Sequence, residues 1–118
     1  PLFNLDRIAA DTQADILIVE GEKAAEAATT FFPGVVSTWA GGAKAVDKTD
    51  FSPLAGRKVL LWPDNDPSGQ KAMHQVAQKL QNLGANVRFV DHFSKNHIFL
   101  FKCHDTFLES IILIDIMT

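Results

Sequence analysis

The chain of 118 residues has a single cysteine, Cys103. One thiol makes no internal disulfide, and no Cys/His cluster has the spacing of a zinc site. That usage fits a reducing compartment. The chain also lacks an excess of positive charge: 11 Lys and Arg stand against 14 Asp and Glu, for a formal net charge of −3. A domain that grips nucleic acid by its own surface charge is usually basic. Any nucleic-acid partner would therefore be gripped mainly by other segments. The apolar run Ile111 to Ile114 is far too short to cross a bilayer, and no basic-then-apolar signal segment stands at the N-terminus. The expected location is the cytoplasm, away from any membrane. There is no repeat, no low-complexity linker and no Gly-x-x-x-x-Gly-Lys-Ser/Thr loop. The chain opens on Pro1-Leu2-Phe3 without an initiator Met, as a piece of a longer protein would. What is present is an ordinary globular balance, 47% hydrophobic and 21% charged. It argues against disorder and suffices for one domain.

Ile16-Leu17-Ile18-Val19 is a continuous apolar, β-branched run, as in strands buried on both faces of a parallel sheet. Glu22 to Phe32 reads as a helix with Ala24, Ala25, Ala27, Ala28, Phe31 and Phe32 on its apolar face. Pro33-Gly34 stops it. Val35 to Trp39 reads as a second strand, Gly41-Gly42 as a loop, and Ala43 to Val46 as a short helix. Lys58 to Trp62 is a third strand. A strong helix starts at Pro67, with Met73, Val76, Ala77, Leu80 and Leu83 on one side. Gly84 ends it. Asn86 to Val90 is a fourth strand. Strands alternating with helices predict an α/β fold, a four-stranded, mostly parallel sheet with helices on both faces; if the first and third strands are neighbours, the order is 2-1-3-4. Residues 1–13 read as a lead-in, 14–91 as the domain, and 92–118 as a divergent extension packing on the domain or a partner. In that extension His97 to Cys103 has the look of a strand. Thr106 to Glu109 has the spacing of a capping box leading into a helix over Ser110 to Met117.

Three carboxylates fall just past strand ends: Glu20 after the first strand, Asp64 and Asp66 after the third. In open parallel sheets ligands bind at the strands' carboxyl ends, where the strand order reverses. Mg²⁺ prefers oxygen ligands and commonly takes one or two carboxylates plus phosphates and water. Glu20 held near the two Asp residues would be harder to ionise, and so suited to accept a proton from an attacking hydroxyl. Each feature also has a plain reading. Asp66-Pro67 is a good helix start, and Glu20-Gly21-Glu22 is an acidic helix N-terminus favoured by the dipole. The plain readings leave unexplained why both acidic sites fall on the same sheet edge.

Ile16-Leu17-Ile18-Val19-Glu20-Gly21 followed by a helix resembles the first motif of the Toprim family. Leu60-Leu61-Trp62-Pro63-Asp64-Asn65-Asp66-Pro67-Ser68-Gly69 resembles its second, Asp-x-Asp motif. The likeness spans residues 14–91. With Glu20 to Ala24, Trp39 to Ala43 and Trp62 to Asp66, it is greatest to DNA primases and primase-helicases of phages and mobile elements. The resemblance implies a Rossmann-like Toprim fold, Glu20 as general acid/base, and a metal held by Asp64, Asp66 and Glu20. The metal would be Mg²⁺, with Mn²⁺ an alternative. Gly21, Lys23, Gly41, Gly42 and Lys44 would face a nucleotide's phosphates, although Gly41-Gly42 also suits a plain turn and lysines usually only solvate a surface. Lys71 is a further candidate of the same kind. Asp91 would be an accessory acid, or simply the end of a strand. His74 is expected to be structural or exposed. The Phe/Ile-rich tail departs from the family's pattern.

The implied activity is Mg²⁺-dependent nucleotidyl transfer that joins nucleoside triphosphates into RNA primers on a single-stranded DNA template. Zinc-binding and helicase modules would lie in the parent protein or act in trans. A Toprim nuclease uses the same metal site with water as nucleophile. A non-catalytic DNA-binding or assembly module with a vestigial site is the third possibility.

Overall fold

The computed structural model describes residues 1–64, 66–92, 98–103 and 111–113, with the backbone alone from 91 onward. Strands Ile16–Ile18 (β1), Val35–Ser37 (β2), Lys58–Leu61 (β3) and Asn86–His92 (β4) lie parallel in the order β2-β1-β3-β4. This is the expected arrangement. The central strands are apolar throughout because both faces are covered. Ile16, Ile18, Val59 and Leu61 face one side, and Leu17 and Leu60 the other. In register, Ile18 stands beside Leu61, so the chain leaves β1 and β3 side by side.

Helix Glu22–Thr29 (α2) covers the second face. Its Ala25 and Ala28, with Phe32 beyond its end, pack on Leu17, Val19, Val36 and Leu60. Helix Pro67–Asn82 (α3) covers the first, burying Met73, Val76, Ala77 and Leu80. It starts where Asp66 caps it, the carboxylate accepting the Gly69 N–H at 2.6 Å, with Pro67 in its first turn. Both features suit a helix start. Two short 3-10 helices, Ala43–Lys48 and Ser52–Leu54, add Val46 and Leu54 to the same core.

Four expectations change. Helix α2 ends at Thr29, not Phe32: the Thr29 and Thr30 hydroxyls bond back to the Ala25 and Ala27 carbonyls. Ala24 and Ala27 are exposed, and Phe31 is half-exposed against Trp62. The lead-in is part of the domain. It holds helix Leu5–Ala10 (α1), and Leu2 and Ile8 are buried in the core. Its Phe3 N–H donates to the Thr38 carbonyl and its Asn4 amide to that of Val36, covering the outer edge of β2. Exposed edges invite pairing with other chains, so this cover has a use. The sheet also does not stop at four strands. Ile98–Cys103 (β5), the expected strand, pairs antiparallel with β4, and Ile111–Leu113 (β6) with β5. Ile111 to Leu113 were expected in a helix. Their branched side chains suit a strand, and a sheet edge was available to extend. The capping box at 106–109 lies outside the described residues.

Candidate active site at the strand ends

Glu20 stands two residues past Ile18, and Asp64 three past Leu61. The paired ends of β1 and β3 therefore deliver both to the sheet's carboxyl edge. This is the switch point, since α2 carries the chain from β1 to one side of the sheet and β3 returns it to the other. The Asp64 N–H donates to Glu20 Oε2 at 3.4 Å, at the long end for a hydrogen bond. Asp66 joins them through the first turn of α3. A Cβ placed on Gly69 would lie 2.7 Å from Glu20 Oε2, 2.8 Å from the Asp64 Cβ and 3.1 Å from Asp66 Oδ1. Segments 44 residues apart in sequence thus bring the three acids around one glycine.

The electrostatics follow. Partial burial raises the Glu20 pKa from its ordinary value, the Asp64 N–H opposes that, and the charges of Asp64 and Asp66 add to it. Asp64 is raised as well, first by burial and then by Asp66. The charges acting on Glu20 are both negative. That is the electrostatic setting a hard cation relieves, and carboxylate oxygens are its preferred donors. Among the described residues, no three His, Cys, Asp or Glu side chains are gathered closely enough to hold an ion on their own. Mg²⁺ held by one or two carboxylates and completed by phosphate and water needs no such cage. The donor set fits that mode.

On the other side of Glu20 lies a cleft of about 260 Å³, lined by Glu20, Gly21, Glu22, Trp39, Ala40, Gly41 and Gly42. Gly21, Gly41 and Gly42 have φ values of 94°, 96° and 73°, a region open mainly to glycine. The cleft wall is pinned from behind. Buried Thr38 accepts the Gly21 N–H at 3.0 Å. Buried Trp39, edge-on to Phe51, donates its indole N–H to the Gly42 carbonyl at 2.8 Å.

The predicted residues divide accordingly. Glu20, Asp64 and Asp66 come together, and Gly21, Gly41 and Gly42 share the cleft with Glu20. Lys23 and Lys44 are exposed near the mouth in sequence but do not line the cleft, and Lys71 is exposed on α3. Asp91 lies within β4, which runs on to His92 because β5 pairs with it, rather than after the strand. His74 is exposed and stacks on Phe89. Sequence reasoning quoted Glu22, Trp39 and Gly69 within motifs without giving them a role at the site, and passed over Thr38. For Gly69 a signal existed: a glycine within the first turn of a long helix, three residues after the cap, where helix propensity alone disfavours it.

Fold and site together define an α/β domain with an acidic site at the switch point of its parallel strands. Residues 1–65 match the family described as a domain of unknown function (DUF6371), and the chain belongs to that family. The match runs from α1 past β3 and includes Glu20 and Asp64. No curated protein and no solved structure matches the chain. Among the described residues, no helix is long and apolar enough to cross a membrane.

Proposed function

We propose that this chain is a Toprim-type catalytic domain of a DNA primase, of the primase-helicase kind. It would carry out Mg²⁺-dependent nucleotidyl transfer on single-stranded DNA in the cytoplasm. The observation that carries the reading is the meeting of Glu20 with Asp64 and Asp66 at the carboxyl ends of β1 and β3. Asp64 and Asp66, with Glu20 beside them, would hold the metal. When bound, the metal neutralises charge on the phosphates and orients them. Glu20, with its raised pKa, accepts the proton of a primer 3′-hydroxyl. The hydroxyl oxygen bonds to the α-phosphorus of a nucleoside triphosphate, and pyrophosphate leaves with the electron pair of the broken P–O bond. The cleft beside Glu20, where Gly21, Gly41 and Gly42 leave backbone open between Glu20, Glu22 and Trp39, would receive that triphosphate.

The test is product analysis on a protein carrying this domain with its zinc-binding and helicase modules. Labelled nucleoside triphosphates, Mg²⁺ and single-stranded DNA are supplied. Short RNA products are expected, falling by about 100-fold or more in Glu20→Gln and disappearing in Asp64→Ala. Cut strands without incorporated label would assign a nuclease instead. Neither product would leave a DNA-binding or assembly module.

A further inference from the structure

Gly69 is buried in the first turn of α3, and its backbone is not in the left-handed region that demands glycine. Backbone conformation therefore does not explain it, and a helix interior favours almost any other residue. Its surroundings do. The three nearest atoms that a Cβ would meet belong to the three acids, at 2.7, 2.8 and 3.1 Å. Two of those distances are shorter than real side chains tolerate. Its own N–H meanwhile holds Asp66 Oδ1 at 2.6 Å.

We propose that Gly69 is a positioning residue for the acidic site. Its missing side chain lets the Glu20 carboxylate cross from the end of β1 to the first turn of α3, while its N–H fixes Asp66. The proposal rests on the metal-site reading above for its functional meaning, but the steric pairing with Glu20 stands on geometry alone. Glu20 Oε2 is the mobile end of a long side chain and the Asp64 Cβ is not. A methyl group at position 69 therefore expels the Glu20 carboxylate first and shifts Asp64 less.

Two readouts on the full 118-residue chain test this. In thermal melts, Gly69→Ala is made in the parent and in a Glu20→Ala background. The expected result is a smaller drop in Tm, or a rise, in the Glu20→Ala background, because the carboxylate that clashed is gone. Equal drops in both backgrounds overturn the proposal. In NMR titrations with Mg²⁺, Gly69→Ala is expected to keep the parent's pattern of dispersed core signals and to bind at least tenfold more weakly. Changing Glu20→Asp in that variant, which withdraws the carboxylate by one methylene, should restore part of the loss. Unchanged affinity in a folded Gly69→Ala also overturns it. A parent that binds no Mg²⁺ sinks the metal-site reading, and the positioning proposal is then decided by the melts.

Discussion

At the scale of single residues, a partly desolvated carboxyl facing two others is easier to protonate in the folded chain than in the unfolded one. Glu20 is in that position, and Asp64, partly desolvated and facing Asp66, is raised for the same kinds of reason. Between their ordinary and raised pKa values the folded state binds more protons, so stability falls as pH rises through that window. The penalty is absent below about pH 3, where the unfolded chain is protonated too, and complete at neutral pH. Glu20→Gln keeps an acceptor for the Asp64 N–H and removes the charge. It should melt higher than the parent at pH 7, by less than about 1 kcal/mol because the group is largely solvated. The difference should close by about pH 3. A variant less stable than the parent at pH 7 would show that Glu20 is not held against like charge. That these acids meet was legible in the sequence, because two acidic loops after two predicted strands have no shared structural reason. Which neutral residues steady the cleft beside them was not. Thr38 and Trp39 act through bonds to glycine backbone across the cleft, and no local pattern announces such partners.

At the scale of elements, Lys79 ties α3 to the 3-10 helix Ala43–Lys48. It lies on α3, the helix that follows Asp64 and Asp66, and its Nζ donates to the carbonyls of Val46, Asp47 and Thr49 at 3.0, 3.2 and 3.1 Å. Those carbonyls close the 3-10 helix that follows Gly41-Gly42. The ammonium also stands over the Phe51 ring, 5.5 Å from its centroid, a favourable placement for a cation. Lys79→Met keeps the aliphatic stem and loses the bonds. It should destabilise the fold by about 1.5–3 kcal/mol, the range for hydrogen bonds to a charged group, with a lower denaturant midpoint and faster amide exchange at Thr49. An unchanged midpoint would contradict this. Helix α3 itself was legible because Met73, Val76, Ala77 and Leu80 recur at helical spacing and all four are buried. Helix α2 was less so, since alanines mark no face and Ala24 and Ala27 point outward. The stretch Ile111 to Leu113 misled because a short apolar run suits a helix or a strand until a neighbouring edge decides.

At the scale of the whole molecule, the parallel sheet followed from alternation and crossover handedness, and the order β2-β1-β3-β4 from setting the two acidic strand ends side by side. The role of residues 1–13 did not. Helix α1 is six residues long, too short to show a period, and the bonds of Phe3 and Asn4 run to residues more than 30 positions away. Those bonds hold β2, whose next residue, Thr38, steadies Gly21, so the N-terminal segment supports the cleft from the far edge of the sheet. The site exists only because strands distant in sequence stand in parallel register, and its central claim is that their convergent acids bind a divalent cation. The most direct measurement is an NMR titration of the chain with Mg²⁺, repeated with Asp64→Ala. Saturable shifts at Glu20, Gly21, Asp64, Asp66 and Gly69 that vanish in the variant are the predicted result. Spectra that reach no saturation at millimolar metal, or that move alike in parent and variant, would contradict it.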